Sequence, residues 1–142
     1  MQANVKWLEK RKFVAESGSG HCVVIDGPAE HGGENKGVRP MEMILMGLGG
    51  CATFDVVNIL EKSRQNISRC EVELDAERAE GVPSPFTKIS MTFVVTGKNL
   101  KESQVKRAIK LSAEQYCSAT LMLQAGGVEI SHDYRIVEES AL

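Results

Sequence analysis

Apolar and polar positions alternate three times within the first 25 residues. NVKWLE, RKFVAES and HCVVID carry short alternating or continuous apolar runs, and the breaks between them hold charge or the sequence SGSG. This pattern predicts an N-terminal β-meander. GPAEHGGENKG follows, rich in glycine and charge and without an apolar anchor, which predicts an exposed, mobile loop. From Pro40 to about Arg64 the pattern becomes helical: a proline suited to the first turn is followed by Met, Ile, Leu, Val and Ala. Apolar residues occupy nearly every side of this helix until Asp55, so its first half is expected to be buried all round, at a domain centre or an interface. Gly47, Gly49 and Gly50 each cost roughly 1 kcal/mol against alanine in a helix interior, a penalty that fits a close backbone approach.

CEVELDAERA and TKISMTFVVTG alternate as two further strands around the turn-rich EGVPSPF and predict an antiparallel pair. In NLKESQVKRAIKLSAEQYCSATLMLQAGG, Asn99 is placed to cap a helix whose apolar stripe is Val105, Ile109 and Leu111. Ser112 and Glu114 are placed to restart a second short helix carrying Cys117. VEISHDYRIVEE is a last alternating strand. The order βββ, α, ββ, α(α), β predicts an α+β fold with a long central helix.

At 142 residues the chain suits a single domain, residues 1–142, with its own core. Its hydrophobic content of 42% and charged content of 25% argue against wholesale disorder. A net charge of −2 offers no global attraction to phosphate, so no nucleic-acid partner is expected. Lys98, Lys101, Lys106, Arg107 and Lys110 fall opposite the apolar stripe of their helix and read as a solvated face. The N-terminal segment lacks the apolar run of a secretory signal, and the low-charge run from Met43 to Phe54 is too short to span a bilayer. The expectation is a cytoplasmic protein with no membrane partner. In that reducing compartment Cys22, Cys51, Cys70 and Cys117 are not expected to form standing disulfides. Without CxxC spacing or clustered histidines, a zinc site is not expected either.

Cys51 sits in GLGGCATFDVV, midway along the apolar helix and just after three glycines. Its position is compatible with a small buried packing residue and with a reactive thiol. A thiol near its ordinary pKa of about 8.5 is only a few per cent thiolate at neutral pH, so reactivity needs a cation or hydrogen-bond donors from elsewhere. Cys117, in SAEQYCSATLML, is also followed by apolar residues and can point into the same interior. Cys22 and Cys70 fall on strands and read as packing residues. Glu42 and Arg39 flank Pro40, where a first-turn carboxylate suits the helix dipole whatever the function. Along one straight helix Glu42 lies about 13.5 Å from Cys51 and half a turn out of phase, so contact between them requires an antiparallel neighbouring copy. His132, between Ile130 and Tyr134, reads as an ordinary strand histidine; His21 and His31 carry no signal.

RPMEMILMGLGGCATFDVVNIL, followed after two strands by SAEQYCSATLML, resembles the OsmC/Ohr family, most closely its YhfA-like branch. The resemblance covers nearly the whole chain. It implies the OsmC-like fold, with antiparallel sheets around a long central helix in an intertwined homodimer, and thiol-based reduction of organic hydroperoxides. Cys51 then falls at the peroxidatic position and Cys117 at the resolving one, with an external dithiol restoring both and no metal or organic cofactor. Three positions depart from the family pattern. Met41 stands where the family's glutamate follows the proline, with Glu42 one place along; Arg39 and Arg11 are the candidates for the activating arginine; Ser118, in place of proline, follows the second cysteine. Cys51, Cys117, Glu42 and Arg39 are therefore the candidate catalytic set. The displaced glutamate favours a rival reading, a non-enzymatic dimeric binder of a small apolar or electrophilic molecule. A purely structural or regulatory role is a third.

Overall fold

The computed structural model describes residues 1–140 and divides into two compact units, residues 1–44 and residues 45 onward. In the first unit the alternating segments form the meander. Strands β1 (Ala3–Glu9), β2 (Lys12–Ser17) and β3 (Cys22–Ile25) pair antiparallel in that order. Cys22 is exposed on β3, so it is not the packing residue its strand position suggests.

The loop after β3 is built round a polar anchor. Asp26 is 2% exposed, and its carboxylate accepts hydrogen bonds from the backbone N–H groups of Gly27 (2.7 Å), Lys36 (3.1 Å) and Glu34 (3.2 Å). Burial works against its charge, but the three donors together with Lys12 outweigh it and hold its pKa below the ordinary 3.8. Arg39 ties the same loop from the other end, donating to the carbonyls of Gly37 (3.2 Å) and Asp26 (3.4 Å) and to Asn35 Oδ1 (2.9 Å). A reading based on apolar anchors expects a mobile loop here, because a buried carboxylate leaves no hydrophobic signal.

Helix α1 (Pro40–Lys62) has the extent the pattern predicts. The Glu42 carboxylate accepts from the backbone N–H of Arg39 at 2.7 Å, satisfying a donor at the helix start. Burial is one-sided rather than all round: Leu48, Ala52, Val56 and Leu60 recur every fourth residue and are buried, whereas Met46 and Phe54 are exposed. Gly49 belongs to the buried face, where a Cβ would come 2.8 Å from Leu74 Cδ1 and 3.3 Å from Val72 Cγ1. A bare backbone thus lets the helix settle on the strand carrying those residues. Gly47 and Gly50 face open space. Because the helix continues past Asp55, it is long and apolar enough to cross a membrane by length and composition, with mean hydropathy 1.7. Only 28% of that stretch is buried, on the face that includes Leu48, Ala52 and Val56.

In the second unit β4 (Asn66–Arg78) and β5 (Phe86–Lys98) form the predicted antiparallel pair, and β6 (Glu129–Glu138) adds to the far side of β5. The β5–β6 pairing is parallel, so the antiparallel expectation holds for the meander and for β4–β5 only. A helical crossover separates β5 from β6, the connection that parallel neighbours require. The crossover contains α2 (Glu102–Leu111), a π-type turn (Ser112–Tyr116) and α3 (Ser118–Ala125). Central strand β5 supplies the largest share of the core of any element: Phe86, Ile89, Met91, Phe93, Val94 and Val95 are buried. Asn99 does not cap α2. It sits at φ 52° and its N–H donates to the Glu138 carboxylate, while Lys101 precedes the helix without a side-chain cap bond.

Candidate functional site

The π-type turn explains how Cys117 reaches the interior. The Cys117 N–H donates to the Ser112 carbonyl at 2.9 Å across a turn one residue wider than an α-helical one, and Cys117 then adopts an extended backbone. It is therefore not carried on a helix, as the pattern suggests, but caps one. Its sulfur accepts the Thr120 N–H at the start of α3, at 3.4 Å. Side chains four apart on a helix share a face, so Cys51 and Asp55 stand together on α1. The two sulfurs and a carboxylate oxygen of Asp55 all lie within 4.8 Å of one another. Ser112 closes the group from the side, its hydroxyl reaching the Ala52 carbonyl at 3.3 Å and the Asp55 carboxylate at 3.4 Å.

The two thiols differ in setting. Cys51 is half-buried and Cys117 fully buried. Burial pushes the Cys117 thiol above its ordinary 9.0; the Thr120 donors pull it back, and the adjacent Cys51 adds to the rise. Cys70 is pushed up to about 11 by burial and by Glu71, which makes it the inert packing thiol its strand suggests. Beside the cluster lies a cavity of about 420 Å³, lined among others by Asp55, Asn58, Lys62, Arg107, Leu111 and Tyr116. Asp55 belongs to both, so it links the sulfurs to a recess with two cationic side chains in its wall.

Of the four residues proposed from sequence, the structure brings Cys51 and Cys117 together. Glu42 and Arg39 meet each other at the start of α1, in the first unit, where both serve the loop and the helix end. Asp55 and Arg107 were not singled out. Asp55 had a readable signal, a carboxylate four residues after a helical cysteine; Arg107 had none, since its neighbours read as a solvated face.

His132 lies half-buried on β6, stacked on Phe93 with ring centroids 6.4 Å apart, and its Nε2 is buried without a hydrogen-bond partner. Burial lowers its pKa below 6.5. The neutral form's contribution to stability is thus present above about pH 6.5 and is lost as pH falls through the lower folded value. His132→Phe keeps the stack and removes the titration. The variant is expected to lose less urea resistance than the native chain between about pH 7.5 and pH 5; equal losses would show that His132 does not carry this acid sensitivity.

A long glycine-bearing helix on a mixed sheet, with two thiols from distant segments held within one cluster, defines a paired-thiol α+β protein. The family model described as "OsmC-like protein" matches residues 33–133, and the chain belongs to that family. It is 50% identical over 137 residues to Protein YhfA of Escherichia coli (strain K12), covering 96% of this chain and 98% of that protein. A solved structure of a hypothetical protein from Aquifex aeolicus VF5 matches with TM-score 0.84 at 26% identity, covering 98% of this chain and 97% of the other. The organic hydroperoxide resistance protein OhrB of Bacillus subtilis matches with TM-score 0.61 at 19% identity, covering 95% and 98%, a likeness of fold alone.

Proposed function

We propose that this chain reduces organic hydroperoxides through Cys51 and Cys117, as a single-domain cytoplasmic homodimer restored by an external dithiol. Family membership supports a redox or peroxide-related role. The observation that carries the finer reading is the meeting of two sulfurs from positions 51 and 117 within 4.8 Å. Cys51, the less buried sulfur, attacks the outer, hydroxyl-bearing oxygen of the peroxide as a thiolate; the O–O bond breaks, the carbon-bound oxygen leaves as an alkoxide that is protonated to the alcohol, and Cys51 becomes a sulfenic acid. Cys117 condenses with it, forming the S–S bond and releasing water, and a dithiol then reduces the disulfide by exchange. A disulfide needs the sulfurs at about 2.05 Å, so the pair must close by side-chain rotation and local adjustment. Glu42 and Arg39 take part only if they reach Cys51 from a neighbouring copy.

The homodimer is supported by the face of α1 that this chain leaves uncovered: Phe54 is 73% exposed and Met46 51%, beside the bare Gly47 and Gly50. Phe54→Glu is expected to give a monomer in light scattering under conditions where the native chain is a dimer; a variant that stays dimeric would place the interface elsewhere.

The rival reading, a dimeric binder of a small apolar or electrophilic molecule, draws support from Asp55. The charged group beside both sulfurs is a carboxylate, whereas an activated thiol calls for a cation there. The two readings part on one measurement. Reduced protein mixed with tert-butyl hydroperoxide should lose two thiols and two hydrogens of intact mass; unchanged thiols would leave the binder.

A further inference from the structure

Cys51, Asp55 and Cys117 present two sulfurs and a carboxylate oxygen within 4.8 Å, a donor set chemically complete for a borderline-soft cation. We propose that the reduced protein binds one zinc ion per chain through these three side chains, with a fourth position left for water. Two sulfur donors select zinc over magnesium, calcium or manganese, which prefer oxygen. A site with three protein ligands is the open kind of zinc site, in which the metal keeps an exchangeable position.

The surroundings fit that role in two independent ways. The Cys117 sulfur already accepts the backbone N–H of Thr120 (3.4 Å), a bond that stabilises a coordinated thiolate. The Asp55 carboxylate is approached by the Ser112 hydroxyl (3.4 Å), which orients its oxygens. The donors need only contract from their present spread to Zn–S distances of about 2.3 Å and a Zn–O distance of about 2.1 Å. Binding balances simply: each thiol sheds its proton to solvent as it becomes a ligand, and no electrons move. Two thiolates and a carboxylate leave the loaded site with one net negative charge, and Lys62 and Arg107 stand in the wall of the adjoining cavity to offset it. The sequence expectation of no zinc site rested on local spacing, whereas these ligands combine a helical i,i+4 pair with a residue 62 positions beyond Asp55.

This inference does not rest on the peroxidase reading, since metal uptake needs no oxidant. The test is zinc titration of the reduced protein against a chromogenic chelator, with X-ray absorption at the zinc edge on the loaded native chain. One zinc per chain with two sulfur donors is expected, retained in the Cys22→Ser/Cys70→Ser double variant and lost in Cys51→Ser and in Cys117→Ser. Asp55→Asn is expected to weaken zinc by about tenfold or more. No stoichiometric zinc, a sulfur count other than two, or unchanged binding in either single cysteine variant or in Asp55→Asn would overturn the proposal. The absorption spectrum decides even if a variant fails to fold.

Discussion

Replacing Cys51 with serine is expected to lower hydroperoxide turnover by about a thousandfold or more, which is over 4 kcal/mol of activation free energy. An alcohol at neutral pH offers no nucleophile comparable with a thiolate, and the other sulfur of the cluster is not placed to take over: Cys117 is fully buried with its thiol pushed up, while Cys70 is raised to about 11 and the exposed Cys22 lies on β3, outside the cluster. Cys117→Ser should behave differently. The first attack proceeds, but the sulfenic acid formed on Cys51 has no partner thiol, so intact mass rises by one oxygen and a sulfenic-acid trap labels the protein once. Steady turnover should fall while the first turnover survives. The opposite pattern, a sulfenic acid on Cys117 in the Cys51→Ser protein, would reverse the two roles. The measurement is peroxide consumption coupled to a dithiol, read beside intact mass for each variant.

The largest expected effect on stability comes from Phe93→Ala. Phe93 is fully buried on the central strand β5, between β4 and β6, and its ring stacks on His132. Truncating such a side chain removes its transfer free energy and leaves a cavity that rigid strand neighbours cannot collapse to fill, a loss of about 3–5 kcal/mol. For a chain of this length the melting temperature should fall by about 10 °C. Urea unfolding checks it: the midpoint should drop with an unchanged slope. A loss under about 1 kcal/mol would mean that the β5 core tolerates the void, contrary to the burial seen there.

Much of the architecture was legible because the elements have strong periods. The alternation in NVKWLE, CEVELDAERA and TKISMTFVVTG names strands, since side chains on a strand point to opposite faces at every step. The apolar run after Pro40 names the long helix to within about two residues. What escaped was set by partners distant in sequence. Whether β6 lies parallel or antiparallel to β5 depends on how the crossover returns, and nothing within VEISHDYRIVEE encodes it. Asn99 carries a capping side chain but was drawn into a left-handed turn, its N–H bonded to Glu138. The exposed side of α1, with Met46 and Phe54 on it, defeats a reading that equates apolar with buried, because apolar side chains also make up much of a folded chain's surface.

The candidate site divides along the same line. The amino-acid order alone determined that a thiol lies mid-helix among glycines and that a second follows Tyr116 in an apolar setting. It also placed a carboxylate one helical turn beyond the first thiol. Only the tertiary structure decided that these three meet, that Cys117 leaves a widened turn to cap α3, and that Glu42 and Arg39 bond to the loop and helix end beside them. The physical reason is range: helix and strand periods arise from neighbours a few residues apart, whereas the approach of position 117 to positions 51 and 55 follows from how the crossover packs.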